Sequence, residues 1–213
     1  MKRHFKAMQK AGFSLAFIAF VSVFLVATTD KLTENKIAEN KAIMLLRALN
    51  QVSPEGSYDN DLINSKIILK SKDSGFSRDT TVYLASKNKQ PSIAIFEVTT
   101  LEGYSGAIKI LVGIRADNNA ISGVRVVQHK ETPGLGDKMD IRKSDWVTSF
   151  IGKSLGNPDL INWKVEKDGG EFKQFTGATI TPRAIVNAVR STLLYAQDNM
   201  KSLFNRDLNE AQN

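Results

Sequence analysis

The chain of 213 residues contains no cysteine. That excludes disulfides, thiolate metal sites, iron–sulfur clusters and a cysteine nucleophile. Histidine is almost as scarce: only His4 and His129 are present. A multi-histidine metal site is therefore not expected, and neither is a catalytic triad built on anything but those two. Acid is missing from the first 29 residues, which hold Lys2, Arg3, Lys6 and Lys10. The formal charge of +7 is thereby divided, because the remaining residues carry 25 basic and 22 acidic groups. A body so nearly balanced gives no reason to expect nucleic acid as a partner.

Charge of either sign is also absent from Ala11 to Thr29, a run of Phe, Leu, Ile, Val and Ala with a few small residues. As a helix it spans about 28 Å at about 1.5 Å per residue, close to the thickness of a hydrocarbon core. Every face is apolar, which a soluble core helix does not need. Residues 1–10 read as a cytoplasmic basic tail and residues 11–29 as a single anchor in the lipid bilayer. The positive-inside bias leaves the C-terminal body on the opposite side. A cleaved signal peptide is the alternative, but Val26-Ala27-Thr28 is a poor small-x-small site and the apolar run is long for such a core.

Residues 30–52 have helical spacing, with Ile37, Ala38, Ala42, Leu45, Leu46 and Leu49 on one side. They read as a stalk that docks on the body and stops at Ser53-Pro54-Glu55-Gly56-Ser57. Residues 53–204 form the body. Strands are expected at Ile67–Leu69, Thr81–Ala85, Ser92–Thr99, Ala107–Ile114 and Ile121–Gln128, with Asp117-Asn118-Asn119 turning the last pair into a hairpin. Ser144–Ile151 reads as a short helix capped by Ser144, and Asn162–Val165 as another strand. Asp168-Gly169-Gly170 reads as a tight turn. Thr181 to about Leu203 reads as a long amphipathic helix burying Ile185, Val189, Leu193, Leu194 and Ala196, before a frayed polar tail at 205–213. The fold class is α+β, a mostly antiparallel sheet with flanking helices, preceded by one N-terminal transmembrane helix.

One segment suggests chemistry. In Thr176-Gly177-Ala178-Thr179-Ile180-Thr181-Pro182, Thr181 and Pro182 read as the cap and first residue of the long helix. Its free amides and dipole favour an anion there. Thr179 stands two residues upstream, in a loop left uncluttered by Gly177 and Ala178. A hydroxyl so placed can carry a phosphate ester; equally, such a string of small residues can be a plain loop before a helix.

The string FTGATITPRAIVNAV resembles the flavin-attachment motif of covalent FMN-binding domains. Two further blocks support the resemblance. His129-Lys130-Glu131-Thr132-Pro133-Gly134-Leu135-Gly136-Asp137-Lys138 is similar to that family's Glu-Thr-Pro-Gly-Leu-Gly loop, and residues 103–113 are similar to its central strand. Together with the single N-terminal span, these resemble the G-subunit family of the Rnf (Rsx) ion-translocating electron transport complex. The C subunit of the sodium-pumping NADH:quinone reductase is the near rival.

The resemblance implies a redox subunit without substrate turnover of its own, passing electrons between the other membrane subunits of a bacterial inner-membrane complex. The body would be periplasmic, and a flavin transferase would join FMN covalently, through a phosphoester, to Thr179. It also implies cofactor contacts from Thr176, Gly177, Ala178 and Thr181, from Glu131, Thr132, Gly134, Leu135, Gly136 and Lys138, and from Tyr104 and Ser105. The family often has an acid three residues before the attachment string; this chain has Lys173, which bears on how efficiently a transferase reads it. Trp146 and Trp163 read as core aromatics, with stacking on a ring as the alternative, and His129 as a structural or flavin-tuning side chain. Two other classes stay open on the residues alone: a non-redox anchored assembly or ligand-binding module, and a free-standing flavin reductase.

Overall fold

The computed structural model describes residues 2–210, with side chains for 12–205 other than 35 and 38. The chain divides into two compact units, residues 1–45 and 46–213.

The first unit is helical from Lys2 onward, as part of α1 (Lys2–Asn50). Within it, Gly12–Glu34 is long and apolar enough to cross a membrane, and its side chains are exposed. Ser22, Thr28 and Thr29 donate their hydroxyls to the carbonyls of Ile18, Phe24 and Leu25, at 2.9, 2.7 and 2.8 Å. Each hydroxyl is thus satisfied inside its own helix, as a segment without water around it requires.

The second unit is built on five antiparallel strands in sequence order. They are β1 (Lys66–Leu69), β2 (Thr80–Lys87), β3 (Gln90–Gly103), β4 (Gly106–Arg115) and β5 (Ile121–Gln128). A single helical turn, α2 (Ser71–Ser74), joins the first two. All five lie where the period-two pattern places strands. Phe96, Val98, Ile108, Ile110, Val112, Ile114 and Val124 supply one fully apolar face. Onto it packs α3 (Ile180–Glu210) through Ile185, Val189, Leu193 and Ala196. Ile185, Val189 and Leu193 each contribute about 1.5–3 kcal/mol when withdrawn from water.

On the other face, cross-strand partners Gly113 and Gly123 leave a slot for Val52. A Cβ on Gly113 would stand 2.7 Å from the Val52 carbonyl oxygen, and one on Gly123 2.9 Å from its Cα. Ser122 donates its hydroxyl to that same carbonyl at 2.6 Å.

Four expectations are corrected. Residues 144–151 form a 3-10 helix, Trp146–Phe150, and Ser144 lies two residues before it, donating to the Lys138 carbonyl at 2.6 Å and accepting from the Trp146 amide at 3.2 Å. Asn162–Val165 is not a strand: Leu160–Asn162 is a 3-10 turn, and Val165 makes one isolated bridge to Phe172. Trp163 is buried there, donating Nε1 to the carbonyls of Ser154 and Pro158 at 3.1 and 3.0 Å, so its ring is held by local turns. Leu194 is 41% exposed; it follows the buried Leu193 by about 100° of helix rotation, which takes it off the stripe facing the sheet. Finally, α3 continues to Glu210 instead of fraying after residue 204; residues 211–213 of the expected tail lie outside the described residues.

Candidate functional site

The long helix begins two residues earlier than its threonine–proline pair suggests. Ile180 is its first residue, and the Arg183 amide donates to the Thr179 carbonyl at 3.2 Å. Thr179 therefore occupies the capping position, and Thr181 and Pro182 are the second and third residues of the helix. Proline is tolerated there because first-turn amides have no intrahelical acceptor. With Arg183 engaged and Pro182 lacking a hydrogen, the amides left at this helix start are those of Ile180 and Thr181.

Immediately before it, residues 175–178 close a tight turn, with the Ala178 amide donating to the Phe175 carbonyl at 3.1 Å. Gly177 has φ +82° there, a conformation a side chain resists. Phe175 itself is buried against Trp146, edge-on at a centroid distance of 5.0 Å. Trp146 also donates Nε1 to the Lys173 carbonyl at 2.7 Å. The aromatic packing thus fixes the approach to Thr179, and both tryptophans are structural.

Two other loops meet this helix start. The β3–β4 hairpin turns through Tyr104 and Ser105. The segment after β5 turns at 132–136, where the amides of Leu135 and Gly136 donate to the Thr132 carbonyl at 3.2 and 3.1 Å. Glu131 ties all three together. Its side chain is buried at 5% exposure. One carboxylate oxygen accepts the Ser105 amide at 2.8 Å, and the other accepts the Thr181 hydroxyl. Gly136 is required by this arrangement, since a Cβ there would lie 2.9 Å from both Cβ and Oε2 of Glu131 and 3.0 Å from the Thr181 hydroxyl. His129 is drawn in as well, its Nδ1 accepting the Glu131 amide at 3.2 Å.

Between the three loops lies a cavity of about 280 Å³, near the lower end of small-molecule clefts, lined by Tyr104, Glu131, Thr132, Leu135, Gly136 and residues 177–181. Of the residues singled out in the sequence, it gathers Tyr104, Glu131, Thr132, Leu135, Gly136, Gly177, Ala178, Thr179 and Thr181. Ser105 stands behind it, through its amide. Gly134 is at an exposed turn with φ +80°, its amide donating to Asp137 at 2.8 Å. Lys138 contributes its carbonyl to Ser144, and Thr176 is exposed outside the lining.

The cavity joins two chemistries. Thr179 and the helix start offer a hydroxyl and free amides at a positive dipole end. Tyr104, 71% exposed, with Leu135 and Ile180, offers an apolar rim. Sequence reasoning missed two contacts: the Glu131 clamp, and the bidentate pairing of Asp168 with Arg183 at 2.6 and 2.8 Å. That guanidinium holds the Asp168 carboxyl below its ordinary value.

Residues 103–194 match the family described as the FMN-binding domain, and residues 1–52 match the RnfG N-terminal region. The cavity and its helix start fall inside the first match, and the long apolar helix inside the second. The class is thus an FMN-binding domain behind an N-terminal apolar helix. Among curated relatives, the chain is 44% identical over 203 residues to the G subunit of the ion-translocating oxidoreductase complex of Vibrio atlanticus (strain LGP32), covering 95% of this chain and 97% of that one. It is 45% identical over 193 residues to the protein of the same name in Escherichia coli (strain K12), covering 90% and 92%. It belongs to the G-subunit family of ion-translocating oxidoreductase complexes. The crystal structure of Shewanella oneidensis NqrC is a more distant likeness, at 23% identity and a TM-score of 0.46 over 70% of this chain and 74% of that one.

Proposed function

We propose that this chain is the membrane-anchored electron carrier of an ion-translocating oxidoreductase, holding FMN through a phosphoester on Thr179. The observation that carries the reading is the place of that hydroxyl: at the start of α3, in a cavity with free amides on one side and an apolar rim on the other. In the attachment step, a flavin transferase would join Thr179 Oγ to the flavin-side phosphorus of a flavin dinucleotide as the phosphoanhydride bond to the second phosphate breaks. The nucleoside monophosphate so released would carry away the hydroxyl proton, and one negative charge would stay on the new diester. The amides of Ile180 and Thr181 would hold that charge at the helix start. Tyr104, Leu135 and Ile180 would hold the flavin on its apolar side, and Glu131 holds the three loops in register by bonding to Ser105 and Thr181. FMN supplies one- and two-electron transfer; the protein supplies attachment, orientation and electrostatics.

Residues 1–10 lie in the cytoplasm, residues 11–29 cross the inner membrane, and the body faces the periplasm, where a covalent tether keeps a cofactor that the compartment does not make. Electrons pass between neighbouring subunits of the complex. The test is co-expression with a flavin transferase, followed by denaturing electrophoresis under ultraviolet light. The wild type fluoresces; Thr179→Val folds and is dark. Fluorescence retained in Thr179→Val would place the attachment elsewhere.

A further inference from the structure

A second cleft of about 380 Å³ lies along the next two turns of α3, lined by Lys164, Asp168, Arg183, Asn187 and Arg190 with Val165 and Val186. It shares no lining residue with the cavity at Thr179. Arg183 and Arg190 are seven residues apart, two helical turns, and so present their guanidinium groups on the same side. Three cations meet one acid, and that acid is already committed, because Asp168 takes two hydrogen bonds from Arg183.

Arg190 differs from its neighbour. Its Nε is withdrawn from water with no acceptor among the described residues. A desolvated guanidinium donor without a partner is costly, and a planar fork of this kind fits the oxygens of phosphate or carboxylate. Asn187, whose amide nitrogen reaches Glu102 at 3.2 Å, closes one wall. The lining therefore has a net charge of +2, with the Nε of Arg190 unanswered among the described residues.

We infer that this cleft is an anion site for a phosphate group, bridged between Arg190 and Lys164, and separate from the flavin site. Phosphate suits it better than a single carboxylate, because its oxygens are set tetrahedrally about phosphorus and can accept from more than one cationic donor, whether as free phosphate or as a diester. The group can come as free phosphate or as a phospholipid headgroup, and the two are separable by experiment. The inference does not depend on flavin at Thr179.

The test uses the full-length, flavin-loaded protein in a neutral detergent. Its thermal midpoint is followed against inorganic phosphate, against short-chain phosphatidylglycerol, and against chloride at matched ionic strength. A ligand that binds only the folded state raises the midpoint saturably. Wild type is expected to respond to phosphate, to the lipid or to both, and not to chloride. Binding should weaken by about tenfold in Arg190→Gln and in Lys164→Gln, the loss of one charge-assisted contact. Lys164 is exposed, so its variant remains informative if Arg190→Gln does not fold. Flavin fluorescence in gels should be unchanged in both. Saturation by phosphate alone identifies a soluble anion, and saturation by the lipid alone a headgroup. A response no different from chloride, or one equally strong in both variants, overturns the inference.

Discussion

In β3 and β4, Phe96, Ile110, Val112 and Ile114 are completely buried, and their partners are other apolar side chains. Around Thr179 comparable burial is reached by Glu131 and Thr181, whose partners are a carboxylate, a hydroxyl and an amide. The sheet and α3 are held by non-directional burial, so volume matters more than any single contact. The loop cluster is held by a few directional bonds, each specific and each local. A scaffold of the first kind keeps its shape while a site of the second kind is tuned on it. Substitutions should therefore separate stability from attachment.

The largest effect is expected in the sheet. Phe96→Ala should cost about 3–5 kcal/mol by the loss of a buried ring and the cavity it leaves. Denaturant unfolding checks this, and flavin attachment should fall only in step with the folded fraction. In the loop cluster, Thr181→Val removes the donor to one oxygen of a buried carboxylate, at about 1.5–3 kcal/mol. Here attachment yield, read as gel fluorescence per folded protein, should drop by more than the stability loss explains; equal losses would erase the distinction between the two regions. Gly136→Ala pushes a methyl against Glu131 and should cost about 1–3 kcal/mol, again with attachment hit harder than unfolding.

The smallest expected effect is one of pH. Arg142 holds the Asp140 carboxyl below its ordinary 3.8, chiefly through their hydrogen bonds. A carboxyl depressed in the folded state gives stability that is complete above the unfolded value and drains away as pH falls through the folded one. The thermal midpoint of wild type should exceed that of Arg142→Gln at neutral pH, and the gap should close below pH 3.8. A gap that holds constant into acid would show the pair to be idle.

The regular half was legible in the sequence because its signals are local. Alternation in Ile108–Ile114 and three–four spacing in Ile185–Ala196 are properties of neighbouring residues. Of the threonine motif, Gly177, Ala178, Thr179 and Thr181 line the cavity and Thr176 does not. The helix start was misplaced because Pro182 suits any of the first few positions, and the Thr-Pro pair drew the boundary past Thr179. Glu131, read as a cofactor contact, lines the cavity, and its carboxylate also accepts from Ser105, 26 residues away, and Thr181, 50 residues away, a clamp that was not foreseen. No period in the sequence encodes such a pairing. Trp163 carried strand propensity, and the bonds its Nε1 makes to the nearby Ser154 and Pro158 carbonyls overrode it. Asp168 looked like a turn residue and is one, but its carboxylate also pairs with Arg183.

Mass spectrometry of the full-length protein purified from its native host tests the central claim most directly. The account predicts an intact mass raised by one FMN less one water, with the added mass on the peptide that contains Thr179. An unmodified Thr179, in protein matured alongside its own transferase, would contradict it.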